Sequence, residues 1–173
     1  MPIRLIAVSR LVVIMGLAVW LTVAVTNNLT DPGTNRLLLG HTLSMGLLME
    51  EEVLGAGLRW RAISPDLSYG LLYLVITVQI IVCVFLWRAS VTYIQALLST
   101  DEPTLIKARN QALLSLTLFV GLWMCFICGG LWFGYWLKQG PVQMVHLILI
   151  VIGLGSMSFV QSQPAALPSM PTK

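Results

Sequence analysis

The chain has 173 residues, of which 57% are hydrophobic and 10% are charged. An ordinary soluble domain carries about 25% charged residues, so this composition excludes a water-covered globular surface. The net charge of +3 is not gathered into a dense basic tract, so nucleic acid is not an expected partner. The apolar residues stand in long uninterrupted runs, which predict helices in lipid.

Four apolar runs predict an all-α membrane protein with four transmembrane helices in one domain, residues 1–173. A helix advances about 1.5 Å per residue, so about 20 apolar residues cross the hydrocarbon of a bilayer. The predicted spans are 5–26, 67–87, 110–137 and 141–161. The predicted connections are an outer loop at 27–66, a cytoplasmic loop at 88–109 and a tight turn before the fourth span, with a Pro-rich tail at 162–173.

The first apolar run follows Arg4 and Arg10, an arrangement that signal peptides share. No small-residue cleavage site of the A-x-A type follows this run. We therefore expect the segment to remain in the protein as its first span, with the arginine side chains reaching the lipid headgroups.

Basic residues predict the orientation, because cytoplasmic loops carry an excess of Lys and Arg. The cations on the side of both termini are Arg4, Arg10, Arg88, Lys107, Arg109 and Lys173. The cations on the opposite side are Arg36, Arg59, Arg61 and Lys138. We therefore expect N- and C-termini in the cytoplasm, and Trp132 and Trp136 as interfacial anchors at the outer face.

The outer loop is about forty residues long, and a loop of that length usually carries structure or function of its own. Its segment 37–49 holds thirteen uncharged residues, too few to span a bilayer. We predict that this segment forms a short interfacial helix. The acidic run at 50–52 is interpreted as a solvated patch and not a metal site, because three successive carboxylates cannot converge on one cation.

The outer loop and the third span also carry short polar and aromatic motifs. The loop residues are Asn27, Asn28, Asp31, Asn35, His41, Met45, Trp60 and Arg61. The residues of the third span are Gly129, Gly130, Trp132, Phe133 and Trp136. In these motifs the chain resembles a bacterial family of predicted small integral membrane proteins, domain of unknown function 2165. The resemblance implies four helices in a bacterial inner membrane and brings no established activity.

His41 and His146 are the two histidines, one in the outer loop and one near the outer end of the fourth span. Two facing histidines could ligate a haem or a pigment. The alternative is that each ring hydrogen-bonds to a neighbouring helix or loop, since polar groups in lipid need partners. No cofactor or metal is predicted, and a bound lipid or quinone is left open.

Three other features have both structural and functional interpretations. Gln79, near the middle of the second span, predicts a hydrogen bond between helices. Arg61 is expected to pair with Asp31, the alternative being a lipid phosphate. Cys125 and Cys128 form a CxxC pair, which is interpreted as part of a helix contact because no second pair of metal ligands is visible.

Small residues recur along the third and fourth spans, where they would let helix backbones approach closely. They are Gly121, Cys125, Gly129, Gly130, Gly134, Gly153, Gly155 and Ser156. They fit a tight hairpin within the chain and docking against a partner protein equally well.

The sequence carries no catalytic residue set: no ordered Ser, His and Asp, no phosphate-binding Gly loop and no intramembrane carboxylate pair. We therefore expect no enzyme. The leading hypothesis is an accessory subunit of a larger inner-membrane complex, respiratory or photosynthetic, whose partners are larger subunits and lipids. The alternatives are a membrane protein that binds a cofactor or small molecule under its outer loop, and a small transporter or channel.

Overall fold

The computed structural model describes residues 3–99 and 101–162, and all regular structure within those ranges is helical. Its four long helices are α1 (Ile3–Thr30), α4 (Leu67–Ser99), α5 (Glu102–Trp132) and α6 (Gly140–Gln161). Each is long and apolar enough to cross a membrane, which confirms the predicted all-α fold with four transmembrane helices. Apart from Ser162, the predicted Pro-rich tail, with Lys173, lies outside the described residues.

The outer segment between α1 and α4 contains short helices. They are α2 (Pro32–Leu43), α3 (Gly46–Met49) and a 3₁₀ turn (Ala56–Arg61). Helix α2 packs mainly against α4 and also touches α1. The outer segment is therefore a helical cap on one end of the bundle, which we call the cap end.

Helices α2 and α5 begin in the same way: an aspartate precedes the helix, and a proline lies in its first turn. The Asp31 carboxylate accepts the backbone N–H of Thr34 at 3.3 Å, and the Asp101 carboxylate accepts that of Thr104 at 2.7 Å. Such caps satisfy a backbone donor that has no partner inside the helix. Hydrogen bonds from the Ser99 hydroxyl and from Thr104 lower the pKa of Asp101.

The predicted cytoplasmic loop at 88–109 differs from the structure, because residues 88–99 continue α4 and residues 102–109 belong to α5. The charges that begin at Arg88 suggested a loop. The helices nevertheless continue past the apolar run because Tyr93 of α4 and Ala108 of α5 are buried in the bundle core. Only residues 100 and 101 separate the two helices.

The four long helices pack mainly as chain neighbours, α1 on α4, α4 on α5 and α5 on α6. The middle of the core is aromatic, with the Trp20 ring edge-on to Phe119 at 6.3 Å and to Trp123 at 5.7 Å between centroids. In the most apolar 18-residue stretch of each long helix, between 22% and 33% of the residues are buried by the rest of the protein. Most of the helix surface is therefore free to face lipid or another protein.

Candidate functional site

A groove of about 550 Å³ runs between α1, α4 and α5 and opens on the outside of the bundle. Its apolar lining includes Val25, Ile80, Val84, Trp87 and Val91. From residue 80 to residue 92 of α4 the groove follows the helix for about 18 Å, at about 1.5 Å per residue. Arg88 and Lys107 also line it.

The polar side chains of the groove are largely bonded to one another. The Thr22 hydroxyl accepts the indole N–H of Trp87 at 3.0 Å and contacts the Cys83 sulfur at 3.1 Å. The Thr92 hydroxyl donates to Gln111 Oε1 at 2.5 Å. Because these groups already have partners, the open surface of the groove is mainly apolar apart from its two cations and the amide N–H groups of Gln111.

A second cluster lies inside the bundle, at the end opposite the cap, which we call the basic end. Arg10 is only 6% exposed and donates from Nη2 to the carbonyl of Ser162, directly after α6. The carbonyls at a helix C-terminus carry partial negative charge, which offsets the burial of a cation. The buried Tyr93 hydroxyl lies close to Arg10 and Arg109.

The cap end is joined to the bundle by a chain of amide side chains. The Asn35 amide of α2 donates to Asn28 Oδ1 at 2.6 Å, and the Asn28 amide of α1 donates to Gln79 Oε1 of α4 at 2.7 Å. Gln79 is 4% exposed. The hydrogen bond between helices predicted for Gln79 is therefore present, and together with the Asn35 bond it links α1, α2 and α4.

Replacing Gln79 with Leu is expected to lower the free energy of unfolding by about 1 kcal/mol, the usual size of a polar contact between membrane helices. The substitution leaves the half-buried Asn28 amide without its acceptor. Denaturant unfolding in detergent micelles measures the change. Thr77→Val is the matched control, because the exposed Thr77 hydroxyl bonds only within α4. Equal losses in the two variants would contradict the assigned role.

Met45 and His41 lie at the junction of α2 and α3. Met45 has a φ of +52°, a left-handed conformation that is strained for a residue with a side chain, and the side chain is 2% exposed. His41 is half-buried and lines a cleft of about 10 Å³ with Met45 and Tyr135. That space holds about one water molecule.

His146 is held by Tyr135 and by two aromatic rings. The Tyr135 hydroxyl lies 3.0 Å from His146 Nδ1, and burial raises the pKa of Tyr135. The imidazole is stacked on Trp123 at 5.5 Å and tilted against Phe126 at 4.8 Å between ring centroids. Tyr135 thus contacts His146 and also lines the cleft of His41. A haem or pigment at these histidines stays an alternative, and no cofactor is predicted.

The ion pair predicted between Arg61 and Asp31 is wrong. Arg61 donates to the carbonyl of Trp132 at 3.0 Å, and its guanidinium lies 4.4 Å from the Trp132 ring and 5.3 Å from the Trp60 ring. The end of α5 thus offers Arg61 a carbonyl and an aromatic face, while Asp31 caps α2. Trp132 and Trp136 are both exposed, at the end where anchors were predicted.

The small residues divide into three groups. Gly130 leaves room for the Tyr135 ring, and Gly153 lies against Val120 and Phe119 of α5, with Ser156 buried one turn later. Gly134, predicted as a packing residue of the third span, instead follows the end of α5, and its φ of +62° starts the turn at Tyr135. The residues on outward faces are Gly121, Cys125, Cys128, Gly129 and Gly155.

A family model of predicted small integral membrane proteins, DUF2165, matches residues 6–163. The chain belongs to this family. No curated protein and no solved structure matches the chain. The DUF2165 match includes the cap, the groove and the four long helices apart from the first residues of α1, and it establishes an integral membrane protein.

Some site residues of this DUF2165 protein were not singled out in the sequence. Thr22 and Trp87 line the groove from different helices, so no spacing along the chain relates them. Tyr135 comes after the end of α5, where the apolar run gave no sign that the helix stops. The cations Arg88 and Lys107 were visible as orientation signals, but their position on one groove depends on how α4 and α5 are rotated.

Proposed function

We propose that this protein is an accessory subunit of a larger inner-membrane complex, of the respiratory or photosynthetic kind, with its basic end in the cytoplasm. The observation that carries the proposal is the outward face of α5. A Cβ atom added at Gly121 or Gly129 meets no described atom within 4 Å, and Cys125 between them is exposed. Small side chains at this spacing let another membrane helix approach closely.

The same face of α5 continues to the cap end. Trp132 lies eleven residues after Gly121, about three turns, so the two residues point in nearly the same direction. The Trp132 ring stands edge-on to Trp60 at 5.9 Å between centroids and carries the Arg61 guanidinium. Aromatic and Arg side chains held in place are typical anchors of protein interfaces. The face therefore combines a flat stretch for a helix with a fixed aromatic end.

The proposal is tested by affinity purification in mild detergent, followed by native gels and identification of the co-purified proteins. We expect the wild-type protein to migrate with larger subunits and Gly121→Leu to be released from them, because Leu fills the flat face. Gly155→Leu is the matched control, since Gly155 also faces open space but on α6. Migration of the wild-type protein as a free monomer would contradict the proposal, and so would equal release of the two variants.

A further inference from the structure

We propose that the groove between α1, α4 and α5 is a binding site for one phospholipid with an anionic headgroup. One acyl chain would lie along the apolar part of the groove, and the headgroup phosphate would contact Arg88 and Lys107. This binding site goes beyond the packing role proposed above and does not depend on the identity of any partner subunit.

The shape of the groove fits an acyl chain. It is open along one side for about 18 Å of α4, so a chain can enter laterally from the bilayer. In its wall the Trp87 indole N–H is already bonded to Thr22, and the Thr92 hydroxyl to Gln111 Oε1. A hydrocarbon chain would therefore displace no hydrogen bond from these groups when it binds.

The two cations of the groove favour a lipid with an anionic headgroup. Arg88 and Lys107 come from different helices, line the same groove and are both exposed, so each can turn toward one ligand. No acidic residue lines the groove among the residues described; Asp101 and Glu102 begin α5 but lie outside it. Basic pockets between membrane helices bind anionic headgroups, and Arg adds paired hydrogen bonds to a phosphate.

The experiment is native mass spectrometry of the full-length protein in detergent, with phosphatidylglycerol or phosphatidylcholine of identical chains added. We expect the wild-type protein to retain phosphatidylglycerol preferentially. One cation near the headgroup is worth about fivefold in affinity, so the Arg88→Gln and Lys107→Gln double variant should lose about 30-fold. The control replaces two exposed cations away from the groove, Arg4→Gln and Arg36→Gln, and should keep the preference.

A second variant tests the acyl chain. Val84→Trp fills the groove and should reduce retention of both lipids, whereas Ile148→Trp, at an equally exposed position on α6, should not. Circular dichroism and gel filtration confirm that each variant is folded. Equal retention of the two lipids by the wild-type protein would overturn the proposal. Full retention by the double variant, or by Val84→Trp, would also overturn it.

Discussion

Replacing Gly130 with Ala is expected to lower the free energy of unfolding by about 2 kcal/mol, although Ala is the better helix former. The added Cβ would collide with the Tyr135 ring, which lies directly against the backbone of Gly130. The ring would have to leave its place and lose its hydrogen bond to His146. Unfolding by a denaturing detergent, followed by circular dichroism, measures the loss.

A double-mutant cycle separates this collision from any other effect of the substitution. In a Tyr135→Ala background the ring is gone, so Gly130→Ala should then cost close to nothing. Gly129→Ala is the matched control, because a Cβ at Gly129 meets no described atom. A cost of Gly130→Ala that is the same with and without the Tyr135 ring would contradict the explanation.

Replacing Arg10 with Leu is the second change for which a large effect is expected, about 2 kcal/mol of lost stability. Arg10 is buried at the end of α6 and donates to the Ser162 carbonyl, so it joins the first long helix to the last. Leu fills the space but leaves that carbonyl without its charged donor. Thermal unfolding in detergent, at several salt concentrations, measures the difference.

Two further variants test the prediction for Arg10, one that keeps the positive charge and one that serves as a control. Arg10→Lys keeps a cation beside the helix end without the planar guanidinium, so its stability should fall between wild type and Arg10→Leu. Arg4→Leu removes an exposed arginine from the same helix and should be nearly neutral. If Arg4→Leu were as damaging as Arg10→Leu, the contact with α6 would not be the cause.

The sequence predicted the helices well and their contacts poorly, for a physical reason. Hydrocarbon excludes unpaired backbone groups, so an apolar run of sufficient length leaves the chain hardly any alternative to a helix. The partner of a side chain depends on helix rotation and on where each helix stops, which hydropathy does not encode. Arg61 was therefore assigned to Asp31 when Trp132 is its partner, and Gly134 was placed on a helix that ends before it.

The candidate site was also predicted only in part: some of its residues were identified, but most of their contacts were not. The motif residues Asn28 and Asn35 and the intramembrane Gln79 were identified separately, and Gln79 was expected to bond another helix. Only the folded chain shows that the three form one network. The groove could not be predicted at all, because its lining comes from three helices whose relative rotation is set by core packing.

The packing of each long helix on its successor has a consequence for biogenesis. When α4 enters the bilayer it finds α1 already there, and α5 and α6 each arrive beside a neighbour that is already in place. Every large interface can therefore form as soon as its second helix is inserted, without waiting for the end of synthesis. The contact of Arg10 with Ser162 forms after these interfaces, because it needs the first long helix and the end of α6 together.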